Sequence, residues 1–333
     1  MLELPLCLKS KRKKGDFIMI ITDFTHKHIE QAKDLAMQNY NEEKQLVPIL
    51  PKDINIPDLT YFAENRLGVA AIEKEQLLGF LCCYNPWDNA FGTKAKGTFS
   101  PIHAHGAISE NRDLIYHKLY QEAARKWVEQ EITYHAIALY AHDEQAKKAL
   151  FTYGFGLRCI DAIKSLNKIN VKQMTNLQIR RLKQDEIPLI RPLREQLYAH
   201  LGESPCFMYS TEQEDPSWIL RAEQRDSIIY AAFEGEKAIA FIEAKHGGEN
   251  FVTQNSDMMS ICGAYCLPNF RGEEIVQSLL NVLIDELKAE GYERLGVDYE
   301  SFNPTAYKFW NKYFEQYTNS VTRRIDEGIL NRR

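Results

Sequence analysis

The feature that most constrains this chain is an internal duplication with a period near 160 residues. GVAAIEKEQLLGFLCCY (68–84) and IIYAAFEGEKAIAFIEAK (228–245) each place a charged turn between two apolar runs, a pattern that predicts a β-hairpin in both places. Phe80 and Phe241 occupy equivalent positions of the two hairpins, 161 residues apart. The repeated spacing indicates that one folding unit is written twice.

Both copies continue in the same order after the hairpin. A strand leads through a loop into a long helix, and then a strand, a second helix and a last strand follow. Arg112 and Arg271, which lie in the two loops, are 159 positions apart, and Ala146 and Ala306 in the second helices are 160 apart. An offset that stays nearly constant over several elements favours two homologous domains.

We predict an α/β chain of two tandem domains, 19–166 and 176–333, each with a mixed, mostly antiparallel sheet flanked by helices. A length of 333 residues also favours two domains over one. Residues 1–18 place an apolar stretch before a basic cluster, the reverse of the order in a signal peptide. We therefore expect this segment to be a flexible extension outside the fold.

Composition narrows the classes of function. The net charge of −5 argues against a broad nucleic-acid surface and makes an amine substrate easier to accommodate. No apolar run has the length that a membrane span requires. The seven cysteines are scattered without a Cys-x-x-Cys pair, which indicates reduced thiols and a cytoplasmic protein.

The segments LPNFRGEEIVQSLL and NPTAYKFW of the second copy resemble the GNAT superfamily of N-acetyltransferases, in its tandem, two-domain form. In that family a loop of pattern Arg/Gln-x-x-Gly-x-Gly/Ala and the following helix bind the pyrophosphate of acetyl-CoA through backbone N–H groups. A later Asn-x-x-Ala-x-x-x-Tyr helix packs beside the pantetheine. The resemblance implies cofactor contacts at Cys266, Leu267, Arg271, Gly272, Glu273, Glu274, Ile275, Val276, Asn303, Ala306, Phe309 and Trp310.

The second copy matches the family loop at Arg271 and Gly272 but departs from it further on. Glu274 and Val276 stand where the family has glycine or alanine, and Trp310 stands where it often has tyrosine. A helix N-terminus binds anions through its unpaired N–H groups, which any residue except proline supplies. Acidic residues in a first helical turn also stabilise a helix without a ligand, so an ordinary helix start remains the alternative. The first copy departs more, and we predict that it is degenerate.

Acyl transfer to an amine requires a group that accepts the amine proton and donors for the carbonyl oxygen. The resemblance places the donors at the backbone of Cys266 and Leu267. Glu243 is the first candidate base because it interrupts an apolar strand, although simple alternation would turn it to solvent. Asp298 and Glu300 could orient the amine or cap the next helix. Tyr265, Tyr299 and Tyr307 are the candidate acids. This list, Glu243, Glu300 and Tyr299, is the predicted catalytic set.

His103 and His105 are two residues apart and would share one face of a strand. A metal would require a third ligand, and the spacing of the other histidines selects none. We therefore expect no metal site.

We predict an acyl-CoA-dependent N-acyltransferase that moves an acetyl group to a primary amine of a small molecule or peptide by direct attack on the thioester. The expected partners are acetyl-CoA and an unidentified amine, without nucleic acid or membrane. One alternative is a tandem module of this fold that binds without catalysis. Another is aminoacyl transfer, which would call for basic surfaces and which the acidic composition disfavours.

Overall fold

The structure is a computed structural model that describes residues 19–171, 177–208, 221–222 and 226–332. The predicted extension 1–18 therefore lies outside the described residues. The strands are β1 (Ile20–Asp23), β2 (Val69–Glu73), β3 (Gln76–Leu81), β4 (Gly97–Ser100), β5 (His105–Ala107), β6 (Tyr134–Tyr140), β7 (Gly156–Ser165), β8 (Gln178–Arg181), β9 (Ile228–Glu234), β10 (Lys237–His246), β11 (Met258–Cys266), β12 (Arg294–Glu300) and β13 (Glu315–Arg324). The helices are α1 (Ile29–Leu46), α2 (Thr60–Glu64), α3 (Arg112–Glu129), α4 (Glu144–Thr152), α5 (Arg191–Gly202), α6 (Ile275–Ala289) and α7 (Pro304–Tyr313).

The element order repeats, as the duplication predicts. Hairpins β2–β3 and β9–β10 form within the two segments predicted to be hairpins, and β5–α3–β6–α4–β7 corresponds to β11–α6–β12–α7–β13. Even the helix caps repeat: the side chains of Asp143 and Asn303 accept the N–H groups of Ala146 and Ala306 at the starts of α4 and α7. The predicted α/β class with helix-flanked sheets is confirmed.

The last strand of each copy pairs with the other copy, which the sequence did not predict. β13 lies antiparallel between β6 and β7, and β7 lies antiparallel between β13 and β12. One nine-stranded sheet therefore runs in the order β4-β6-β13-β7-β12-β11-β10-β9-β8, and β1-β2-β3-β5 form a second sheet. Residues of β7 consequently stand beside the central strands of the C-terminal half. The domain limits 19–166 and 176–333 remain a prediction.

The two loops that precede the long helices differ in length. Residues 108–111 connect β5 to α3, whereas 267–274 connect β11 to α6. Arg112 is therefore the first residue of α3, while Arg271 lies in the loop before α6, so the 159-residue spacing does not make them structural equivalents. None of the helices in the described ranges combines the length and the apolar character needed to cross a bilayer.

Candidate active site

A gap opens in the sheet of the C-terminal half. β11 pairs with β10 up to Cys266, but it pairs with β12 only as far as Ile261 and Val297. Beyond that point the two parallel strands diverge, and we call the space between them the C-terminal gap. A diverging pair exposes backbone N–H and C=O groups that would otherwise be bonded within the ladder.

The backbone directions at the end of β11 decide which amides face the C-terminal gap. The N–H of Leu267 donates to the Ile239 carbonyl at 3.0 Å, so it is turned toward β10. Because peptide directions alternate along a strand, the N–H groups of Cys266 and Ala264 point the other way, into the gap. The expectation that Leu267 supplies an amide donor is therefore wrong, whereas the donor role of Cys266 stays a prediction.

A cavity of about 470 Å³ lies along the gap, between the loop before α6 and the start of α7. Leu267 and Glu273 are the two predicted cofactor residues that do not line it. The structure brings together the other ten, which the sequence scatters over 45 positions: Cys266, Arg271, Gly272, Glu274, Ile275, Val276, Asn303, Ala306, Phe309 and Trp310.

The loop before α6 keeps a glycine-like backbone in spite of its side chains. Gly272 has φ of +89° and Glu274 has φ of +59°, both in the left-handed region that glycine adopts most easily. Immediately after Glu274 the first N–H groups of α6 lack intrahelical acceptors, as at any helix start. Arg271 lies over the ring of Tyr265 and donates from Nε to the Cys266 carbonyl at 3.2 Å, which places its guanidinium at the mouth of the cavity.

A second concavity lies on the opposite face of the same sheet, and we call it the acidic cleft. Its floor includes Glu243, Ser260 and Asp298, and Leu197 of α5 lines both the cleft and the cavity. Asp298 directly follows Val297, the last residue of β12 that pairs with β11. The C-terminal gap therefore connects a cavity on one face of the sheet with a cleft on the other.

Glu243 is buried rather than turned to solvent, since its residue surface is only 3% exposed. Its carboxylate accepts a hydrogen bond from Arg194 Nη1 of α5 at 2.5 Å. A carboxylate held in a buried ion pair is a poor proton acceptor, because protonation would leave the arginine uncompensated. This contact argues against the base role predicted for Glu243.

Asp298 and Asp161 face each other across the β12–β7 ladder. Desolvation inside the cleft, followed by the charges of Glu249, Asp161 and Glu300, raises the pKa of Asp298 to about 8, although its side chain remains open to solvent. Burial raises the pKa of Asp161 to about 7 against the hydrogen bond from Thr318. A carboxyl group with a pKa near neutrality can exchange protons under ordinary conditions.

The remaining predicted catalytic residues lie on opposite faces of β12. Glu300 is on the cleft side, where burial raises its pKa and Arg158 lies 3.7 Å away. The side chain of Tyr299 points to α7 instead and donates to Asn311 Oδ1 at 2.5 Å. Burial raises the pKa of Tyr299, so its hydroxyl is a weaker acid than that of a free tyrosine. Because this hydroxyl is bonded to Asn311 on α7, it is directed away from the cleft. The structure thus separates Tyr299 from Glu243 and Glu300.

The equivalent gap of the N-terminal half, between β5 and β6, is filled by side chains. By strand register His105 corresponds to Ala264 and Ala107 to Cys266. His105 donates from Nε2 to the Ala138 carbonyl of β6 at 2.5 Å. The side chain of Asn39 binds both the N–H and the C=O of Ala107, each at 3.0 Å.

The charged side chain of Arg112, near this N-terminal gap between β5 and β6, already has ion-pair partners within the protein. Arg112 is buried between Glu42 and Asp143. His103 lies in the turn between β4 and β5, so it does not share a strand face with His105 as predicted. Burial lowers the pKa of both histidines to about 4, which keeps them neutral. Across the described part of the chain, no group of three metal-ligating side chains is assembled.

Sequence reasoning missed Ser260, which lines the cleft, and Asp161, which faces Asp298 beside it. Asp161 interrupts the apolar run LRCIDAIKSL, which is the same signal that singled out Glu243. Its contribution depends on β7 leaving its own copy, and a hydrophobic pattern does not encode that pairing. Ser260 carries no distinguishing signal in the sequence.

Residues 194–315 match the model of the acetyltransferase (GNAT) family. A GCN5-related N-acetyltransferase from Sphaerobacter thermophilus has a similar structure, with a TM-score of 0.56 at 9% identity over 92% of this chain and 95% of that one. A GNAT acetyltransferase from Colwellia psychrerythraea has a TM-score of 0.50 at 12% identity over 93% of this chain and 100% of that one. These similarities show the fold. No curated protein matches the sequence significantly.

Proposed function

Since residues 194–315 match the model of the GNAT family of acetyltransferases, we propose that this chain transfers an acetyl group from acetyl-CoA to a primary amine. The carrying observation is the C-terminal gap, which joins the 470 Å³ cavity to the acidic cleft and has the Cys266 amide between them. A thioester and an amine that approach from opposite faces of the sheet would meet at that amide.

The residues present are suited to acetyl-CoA. The left-handed backbone at Gly272 and Glu274 turns the chain into α6, whose first N–H groups are donors for a diphosphate. Arg271 adds a cation beside them, and the cavity continues along α7 past Asn303 and Phe309. Acetyl-CoA, when bound, supplies the activated acyl group.

The protein's own groups would then act at three positions. The Cys266 amide donates to the carbonyl oxygen of the thioester, where negative charge develops during attack. Asp298 is the base that fits best, because it lies where β11 and β12 diverge and its raised pKa suits proton exchange near neutral pH. Glu300 supports it as a second carboxylate on the same face. Tyr299 we retain only as a positioning residue for α7.

The N-terminal half we propose to be non-catalytic. His105 and Asn39 occupy the positions that a pantetheine and an acyl group would require there. Its contribution to the reaction would be Asp161 of β7, which stands opposite Asp298 in the β12–β7 ladder. The six cysteines among the described residues are free thiols, and we propose a cytoplasmic protein on that basis.

Calorimetry and a thiol-release assay test this function. Titration of acetyl-CoA into the purified chain should give one site per monomer, and CoA should be released when a primary amine is added. Absence of heat up to millimolar acetyl-CoA would refute the proposal.

Glu273 and Glu274 at the diphosphate position favour one competing function, a module that binds without catalysis. Binding of acetyl-CoA without thiol release across a broad panel of amines would support that module instead.

A further inference from the structure

Four carboxylates lie near the point where β12 leaves β11. Asp298 lies at this point, Asp161 opposes it from β7, and Glu300 follows on the same face of β12. Glu249, in the loop after β10, lines the same cleft. We call these four side chains the acidic cluster. They come from both halves of the chain, because β7 belongs to the first copy.

Two cations act directly on the four carboxylates of the acidic cluster. Among the described residues, Lys245 is the cation that acts on Asp298, and Arg158 pairs with Glu300. Two further cations line the cleft. Arg194 is committed to Glu243, and Arg221 is not among the groups that shift Asp298. The carboxylates therefore repel one another, and a cationic ligand would relieve that repulsion.

A buried hydroxyl in the same cleft indicates a polar ligand independently. Ser260 is 4% exposed, and its Oγ makes no hydrogen bond to any described residue. Ser260 pairs with Gly296 in the β11–β12 ladder, and its Oγ lies beside that glycine. Gly296 is two residues before Asp298 along β12. Buried polar atoms in proteins are nearly always bonded, so an unpartnered oxygen in a cleft is a candidate acceptor for a ligand N–H.

We infer that the acidic cluster and Ser260 form the acceptor subsite and select an aliphatic primary amine that carries a second cationic group, such as a diamine or polyamine. This inference rests on the proposed function. A monoamine gives up its charge when it reacts and leaves the cluster uncompensated. A diamine keeps one ammonium against Asp161 and Glu249 throughout the reaction.

The reacting ammonium gives one proton to the carboxylate of Asp298 and becomes a neutral amine. The amine nitrogen bonds to the acyl carbon, the carbon–sulfur bond breaks, and the second proton from nitrogen goes to the departing CoA sulfur. Asp298 then releases its proton to solvent, and the distal ammonium is unchanged.

Three acceptors of equal chain length test the inference in the thiol-release assay: 1,4-diaminobutane, 1-aminobutane and 4-aminobutanoate. They differ at the distal end, which is cationic, apolar or anionic. We expect kcat/KM for the diamine to exceed that for the monoamine by about 10- to 100-fold, as charge-assisted hydrogen bonds would give. We expect the amino acid to be the poorest acceptor. Equal kcat/KM for diamine and monoamine would overturn the inference and leave the proposed function standing.

Substitutions in the cleft test whether the acidic cluster causes the preference for the diamine over the monoamine. Asp161→Asn and, on the loop, Glu249→Gln should each lower the diamine-to-monoamine ratio at least tenfold, mainly through KM of the diamine. Asp285→Asn, which removes an exposed carboxylate on α6 paired with Lys168, should leave the ratio unchanged. Binding of acetyl-CoA by each variant shows that it is folded.

An unchanged ratio in both cleft variants would refute the assignment of the acidic cluster. Absence of acetyl-CoA binding and of turnover with all three amines would refute the proposed function and this inference together.

Discussion

The N-terminal gap, between β5 and β6, and the C-terminal gap, between β11 and β12, lie between corresponding strands of the two copies. They differ in what occupies them. In the N-terminal half, the imidazole of His105 spans from β5 to the Ala138 carbonyl, and Asn39 binds the backbone of Ala107. In the C-terminal half, Ala264 stands at the position of His105, and the Cys266 amide faces a cavity. A diverging strand pair must bond its exposed peptide groups to something. The N-terminal half uses its own side chains, whereas the C-terminal half leaves the Cys266 amide facing the cavity.

Ala264→His should have the largest effect, because it places in the C-terminal gap the side chain that fills the N-terminal gap at His105. We expect acetyl-CoA binding to be lost and thiol release to fall about 10³-fold, the upper range for loss of an oxyanion donor. Calorimetry and the thiol-release assay measure both quantities. Ala289→His, on the exposed end of α6, is the matched control and should behave as wild type. Retained binding in Ala264→His would mean that the ligand does not use this gap.

The converse substitution sharpens the comparison. His105→Ala should not create a second binding site, since Asn39 still occupies the amide of Ala107. Two acetyl-CoA sites per monomer in this variant would show that one side chain alone separates the two halves.

Asp298→Asn should lower kcat/KM by about 10²- to 10⁴-fold, the usual contribution of a general base. Because the pKa of Asp298 is raised to about 8 by its surroundings, kcat/KM of the wild type should rise with pH through that region. The facing groups are Glu249, Asp161, Glu300 and Lys245. A pH profile that is flat between 6 and 9 would exclude Asp298 as the base.

The same pKa shift sets the direction of the stability change. Asp298 has a higher pKa folded than unfolded, where it is about 3.9, so the folded state binds more protons between about pH 4 and 8. Its contribution to stability is complete below that range and is lost as pH rises through it. Chemical denaturation across this range should show a shallower decline for Asp298→Asn than for wild type.

Arg271 and Arg112 offer a paired contrast of intermediate size. Arg271→Ala should weaken acetyl-CoA binding about tenfold with little change in stability, because its side chain is exposed at the cavity mouth. Arg112→Ala should lower the free energy of unfolding by about 3–5 kcal/mol, since Asp143 would be left as an uncompensated buried charge, and should leave acetyl-CoA affinity unchanged. Denaturation and calorimetry on both variants decide the matter. The opposite assignment of effects would move the site to the N-terminal half.

Glu274→Gly should have the smallest effect, and it should raise both the stability of the protein and its affinity for acetyl-CoA. Glycine removes the strain of a side chain in the left-handed region at this position. After the entropy cost of glycine, the free energy of unfolding should rise by roughly 0.5–1 kcal/mol. The substitution also removes a negative charge beside the diphosphate position, which should strengthen acetyl-CoA binding by about two- to fivefold. Glu273→Gly is the control, because Glu273 is not left-handed: affinity should rise without a gain in stability. Weaker binding in Glu274→Gly would assign the glutamate a positive role.

Much of the fold could be predicted, because its elements are encoded locally. The two hairpins, the paired helices and their capping residues Asp143 and Asn303 all lie within short periodic segments, so a repeat near 160 residues was enough to order them. The cavity could also be predicted, since nine of the predicted residues that line it belong to the two segments that resemble family motifs.

The residues of the cleft could not be predicted from the sequence in the same way. Glu243 and Asp161 look alike in sequence, each a lone acid in an apolar strand. One is neutralised by Arg194 from α5, and the other faces Asp298 across a pairing between the two copies. Likewise, Leu267 and Cys266 are adjacent and equally plausible as donors until the bond from Leu267 to Ile239 decides their directions.

The sequence by itself determined that two α/β units of one design follow each other, and which segment resembles a cofactor loop. Only the tertiary structure decided which gap is open and which carboxylates share a cleft. The physical reason is that hydrophobic period and capping act over a few residues, whereas a filled gap, an ion pair and an exchanged strand depend on groups that are dozens to more than a hundred positions apart.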